Sequence, residues 1–193
     1  MNDFGFYFGL GWGHIMSIDA LDHILFVWVL AAIYLLRDWK QVLILVTAFT
    51  IGHSITLALS VLDLIDVPAE WTEFFIPVTI AITALVNIFR KEYTTRHLRL
   101  NYILALLFGL VHGLGFANTL RSMLLVKGQS LGWSLFGFNV GLEAGQLVVV
   151  AVILLLASLV VDRLRAPRRE WVLFVSAGVF SLALKMALER LPS

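Results

Sequence analysis

Five histidines and no cysteine make up the soft-ligand inventory of this chain. Four of those histidines stand beside or inside long apolar stretches. Asp19, Asp22 and His23 follow one another at i, i+3 and i+4, which puts them on one helical stripe, with His14 just ahead. Thr50, His53, Thr56 and Ser60 recur at three- and four-residue intervals and form a second stripe. His112 lies in the glycine-rich stretch FGLVHGLGFA, and Asn139, Glu143 and Gln146 share a face further on. Imidazole and carboxylate ligands without thiolate suit borderline divalent ions: nickel, cobalt, zinc or copper(II). Two ionised carboxylates, Asp22 and Glu143, would offset a dication in a low-dielectric site. Without the ion, burial favours their protonated forms. Ion binding is then coupled to proton release, a workable basis for a metal/proton exchanger. The lack of cysteine excludes disulfides, thiolate metal sites and thiol catalysis.

Each of these residues also has an ordinary structural use. A buried histidine bonded to a neighbouring helix is the commoner situation. Asp19 follows Ser17 closely enough to serve a helix N-terminus. His14 fits a wet interface and His97 a solvated basic loop. The Thr and Ser hydroxyls of the second stripe usually bond back to their own helix. Gly137, Gly141 and Gly145 form a small-residue ladder suited to close helix packing.

Depth separates a site from scattered polar residues, and depth is set by the helices. The chain is 60% hydrophobic and 14% charged, with a mean hydropathy of +0.92. Soluble domains run at about 45–50% apolar and about 25% charged. Apolar runs of about 18 residues or more are membrane-spanning helices. Charge punctuation predicts six, over about 17–36, 41–62, 71–89, 98–118, 133–161 and 171–188, with Pro77 as a kink or a short 3₁₀ entrance. The fold class expected is an all-α polytopic bundle forming a single domain over 1–193. Residues 1–16 are too short to span and are expected to lie at the interface or half-inserted, ahead of the bundle at 17–190. The start, Met1-Asn2-Asp3-Phe4, has no basic region, so no cleaved leader is expected.

Ten of the 14 lysines and arginines fall in the connectors after spans one, three and five, including Arg37, Arg90, Arg96, Arg163 and Arg169. Positive charge gathers on the cytoplasmic side, so both termini are expected outside, across a bacterial inner membrane. With that orientation His23, His53, His112 and Glu143 all fall in the outer half of the bilayer, within several ångströms of one level at about 1.5 Å per residue. Intramembrane ionisable groups are costly and usually functional, and four helices agreeing in depth point to a site. The partners expected are a metal ion and the lipid bilayer, with no nucleic acid.

The segments DALDHILF, FTIGHSITLAL, FGLVHGLGFA and FNVGLEAGQL, in this order, resemble the HupE/UreJ family of small bacterial membrane proteins. The Asp-His pair and the Gly-His-Ser element are also similar to motifs of the larger nickel/cobalt transporter family. The resemblance implies six or seven helices and a role linked to nickel-dependent hydrogenase and urease systems, with metalloenzyme maturation proteins as possible partners. It points at His14, Asp22, His23, His53, His112 and Glu143. The family usually has five residues between its first His and the Asp-His pair. Here seven intervene, and Ala20 stands where a glycine is usual. His14 and Asp19 are therefore alternatives at that position.

The leading expectation is divalent-metal binding and transport. A second reading is an intramembrane zinc hydrolase, in which Asp22 or Glu143 would act as base on a zinc-bound water. A third is a metal-binding accessory protein that moves nothing. Polar residues toward the inner half, Thr47, Thr83, Asn87 and Asn101, make only a thin pathway for transport.

Overall fold

The computed structural model describes residues 3–17, 20–90, 95–127 and 131–192. It is 88% helical, and the described residues contain no strand. Among the described residues seven α-helices follow one another: α1 (Asp3–Met16), α2 (Leu21–Ala31), α3 (Trp39–Val61), α4 (Ala69–Phe89), α5 (Thr95–Lys127), α6 (Leu131–Ser158) and α7 (Arg168–Glu189). Local chemistry explains their ends. Pro68 and Pro167 immediately precede α4 and α7, where a missing N–H costs nothing. Asp63 and Arg165 adopt the left-handed conformation, with φ of 60° and 58°, just after the helical segments that α3 and α6 end. Pro77 lies inside α4, which continues through it, so it marks no helix entrance.

Among the described residues five helical segments are long and apolar enough to cross a membrane, and the pair α1 and α2 makes a sixth if counted as one broken span. The chain is a multi-pass membrane protein. Ile44, Ile51, Leu155 and Phe174 turn outward on the bundle, forming the apolar surface a bilayer covers. Trp39, Trp71 and Trp133 are exposed near helix ends, where aromatic belts lie.

The first expected span differs from the sequence reading. Of the described residues in 17–36, only Leu21–Ala31 form α-helix, 11 residues. That gives about 16 Å, half of a hydrocarbon core of about 30 Å. α1 meets α2 at a bend of 70°, and the two together are long and apolar enough to make one broken span. α1 packs along α6 in the same direction, Phe4 against Gly137, Phe8 against Gly141 and Ile15 against Gly145. Gly141 brings the two backbones together so closely that a Cβ there would overlap the Phe8 carbonyl. α2 packs instead against α4, α6 and α7.

α3 and α5 form the tightest pair and also run in the same direction. Cβ atoms at Gly52, Gly109 and Gly113 would overlap the carbonyl oxygens of Leu106, Phe49 and His53. Small residues let these backbones touch, as membrane helix pairs require. Beneath the seam lies an apolar core including Phe26, Leu30, Val46, Phe49, Val150 and Ile153.

The arginine-rich end is closed by hydrogen bonds. Arg168 donates to the Ile33 carbonyl and approaches Asp38 at 3.6 Å. Arg169 donates to the carbonyls of Arg90 and Ile88. Arg90 donates to Asn101 at 3.0 Å, and the Asn87 amide donates to the Val29 carbonyl at 2.7 Å. These guanidinium groups satisfy carbonyls left over at the ends of α2 and α4. Asn87 and Asn101, polar toward this end, are thus used in holding helices together.

Candidate metal centre

The bend between α1 and α2 opens against α3 and α5, and the histidines gather there. His14 comes from the last turn of α1, His23 from the first turn of α2, His53 from α3 and His112 from α5. Ring centroids are 4.7 Å apart for His14 and His23, 4.8 Å for His23 and His112, and 6.2 Å for His23 and His53. Among the described residues, His14, His23 and His53 offer ligand atoms that all lie within 4.8 Å of one another. Metal–nitrogen bonds of about 2.0–2.1 Å would need these atoms only modestly closer.

The hydrogen bonds fix which ring nitrogens face the cluster. Asp22 Oδ1 accepts from the His23 backbone N–H at 2.8 Å and from His23 Nδ1 at 3.0 Å. His112 Nδ1 donates to the Phe108 carbonyl at 2.8 Å. Both rings therefore keep Nε2 as a lone-pair acceptor, and neither Nε2 has a partner. Nε2 of His14 is also buried and unpartnered. His53 is fully buried; its ring nitrogens make no well-formed hydrogen bond, and the Asn139 side chain is the polar group that faces them. A buried polar atom without a hydrogen bond costs about 1–3 kcal/mol. Several in one place, all Lewis bases, form an array suited to a cation. The carboxylate behind His23 matches the arrangement that orients metal-bound imidazoles.

Aromatic rings shape the remainder. Phe116 and Phe138 stack at 4.9 Å, and His14 lies on Phe116 at 4.3 Å. Phe26, Phe49 and Phe108 form a dry floor, with Phe26 5.1 Å from Phe49 and 5.4 Å from Phe108. On the other side a cavity of about 700 Å³ reaches the surface, lined by His14, Asp22, His23 and His112 and bordered by Glu73 and Arg190. The centre is open toward the end that holds Glu73 and Arg190, and apolar toward the arginine-rich end.

Glu143 is placed elsewhere. It accepts from the Thr47 hydroxyl at 2.7 Å, and one turn along Thr50 donates to Gln146 at 3.1 Å. Thr47 lies about 9 Å along α3 from His53, on another face, and Glu143 is not among the clustered ligand atoms. Asp19 lies outside the described residues. Ser54 and Thr56 bond back to carbonyls of α3, the ordinary use for such hydroxyls. The sequence reading passed over Arg190 and Glu73. The one available signal was that Arg190 is a cation on the side where few cations occur.

No curated protein and no solved structure matches the chain. The profile described as HupE / UreJ protein matches residues 1–190, essentially from end to end. The four histidine- and acid-bearing segments that carried the resemblance all lie inside that match, and the chain belongs to the HupE / UreJ family.

Proposed function

We propose that this protein binds a divalent transition-metal ion, of the nickel or cobalt type, at the α1–α2 bend and carries it across the bacterial inner membrane. His14, His23 and His53 ligate the ion, His112 offers a further nitrogen, and Asp22 orients His23 and balances charge. The observation that carries the reading is the convergence of buried, unpartnered imidazole nitrogens from separate helices. Neutral imidazoles without thiolate select borderline ions over magnesium or calcium. The family's link to nickel and cobalt handling supports the same ions.

Transport is tested with sealed vesicles that hold a metal-sensitive dye and purified protein made without a polyhistidine tag. Flux that requires metal and disappears in His112→Ala supports carriage. Metal bound without flux reduces the role to an accessory one, and lipid turnover without flux indicates a zinc hydrolase.

Orientation follows from the arginine bias, which places the cavity mouth outside. Leu64 and Leu164 are strongly exposed, on the acidic and the basic connectors respectively. In this cysteine-free chain, Leu64→Cys is expected to react with an impermeant thiol reagent in intact cells, and Leu164→Cys only after lysis. The opposite labelling would invert the centre.

Glu143 has a smaller role in this reading. Glu143→Gln keeps an acceptor for Thr47 and removes the ionisable group. Metal affinity is expected to change by less than about tenfold, below the cost of losing a group that directly supports a ligand. A larger fall, with weaker pH dependence of binding, would place Glu143 at the ion.

A further inference from the structure

A fixed cation beside a cation site calls for an explanation. Arg190 closes α7 as its C-cap residue and places Nη1 3.6 Å from Asp22 Oδ2. Both residues line the cavity that leads to the histidines. Asp22 is thus divided between two partners. One oxygen receives both N–H groups of His23, and the other faces the guanidinium. Arg190 is about one-third exposed, with its side chain at 33% and that of Asp22 at 12%. The guanidinium can reach solvent while the carboxylate cannot readily follow.

We infer that Arg190 is an electrostatic latch on the metal centre, holding Asp22 when the centre is empty and giving it up when a divalent ion arrives. This rests on the metal-binding reading above. In the empty centre the Asp22 carboxylate is largely buried, and an unpaired buried charge is costly. Arg190 faces the carboxylate oxygen that His23 does not use, and the pair holds Asp22 where it aligns His23. An ion held by His23 Nε2 lies across the imidazole from the same carboxylate, draws on its charge through the ring and repels the guanidinium. The Asp22 charge cannot fully serve both. Arg190 then moves toward the cavity rim, where Glu73 is an exposed acid.

The device also discriminates by charge. A dication draws on Asp22 about twice as strongly as a monovalent ion at equal distance, so it compensates better for the broken pair. Sodium and potassium also gain little from imidazole ligands. Arg190 thereby sets a threshold that abundant monovalent ions do not pass.

The test is titration calorimetry with nickel chloride on the full-length protein in detergent, comparing parent, Arg190→Gln and Arg190→Lys. Each is repeated in an Asp22→Asn background. Removing the tethered competitor is expected to tighten nickel binding roughly five- to tenfold, the scale of a modest coupling between two sites. Arg190→Lys keeps the charge and should stay near the parent. With Asp22→Asn the carboxylate charge is gone, and Arg190→Gln should change affinity far less. Arg190→Gln binding no tighter than the parent would overturn the latch while leaving the centre standing. Equal tightening in both backgrounds would likewise overturn it, since Arg190 would then not act through Asp22. If the parent takes up no nickel, centre and latch fall together.

Discussion

His53→Leu is expected to lower metal affinity by about a hundredfold or more while leaving the metal-free protein as stable as the parent, or more so. Even residues that only support metal ligands cost about 10- to 100-fold when lost, and a direct ligand should cost no less. The stability side comes from the environment of the ring. His53 is fully buried between Phe49 at 6.1 Å and Phe138 at 6.1 Å, and its nitrogens make no well-formed hydrogen bond, with only the Asn139 side chain facing them. Leucine fills a similar volume and carries no polar atom to leave unsatisfied. Thermal unfolding with and without nickel checks both halves. Metal should raise the parent's midpoint by linkage and leave that of His53→Leu unmoved. A variant that binds like the parent, or that unfolds earlier without metal, would make His53 a packing residue.

Gly109→Ala is expected to damage the fold and the centre together. Its Cβ would overlap the Phe49 carbonyl oxygen and sit 3.0 Å from the His53 backbone nitrogen. Neither contact can yield by turning a side chain, so α3 and α5 must separate. Overpacking of this kind costs about 1–3 kcal/mol, and here it also moves the segment that presents His53. Gly178→Ala is the control, since nothing lies within 4 Å of a Cβ at that position. In a helix, alanine is better than glycine by about 1 kcal/mol. Gly109→Ala should therefore lose nickel binding and thermal stability, and Gly178→Ala should lose neither. Equal behaviour of the two would mean that the α3–α5 seam is looser than its glycines imply.

Long apolar runs made α3 to α7 legible in the sequence, because a bilayer imposes length and composition on every span. A boundary near Met16 was legible, but the shortness of the helix after it was not. Hydropathy continues smoothly through LDHILFVWVLAAIYLL, and nothing in it divides the run at Ala31, where α2 ends. That division depends on what each half packs against, which only the assembled bundle decides. The histidines were found by depth, a quantity that residue counting supplies. Azimuth was the missing quantity. Glu143 has a plausible depth but faces Thr47 across the α3–α6 seam. The role of Asp22 rests on its contact with the adjacent His23, and spacing alone did not say whether it would support that ring or ligate beside it.

The broken first span has a consequence for how the protein is made. α1 and α2 leave the ribosome before the helices they pack on, yet at 14 and 11 residues neither is long enough to settle across a bilayer alone. The surfaces that hold them are supplied later, α6 for the first half and α4, α6 and α7 for the second. A nascent chain that has synthesised His14, His23, His53 and His112 therefore possesses every histidine of the centre, and an α3–α5 seam to present two of them, but not the surface that seats α1. The alignment of His14 waits for the glycine face of α6 to emerge, and the Asp22–Arg190 pair waits for the end of α7. The helices that organise α1 and α2 are thus made after them, and a chain cut short after α5 would lack the seat of His14 and the guanidinium that faces Asp22.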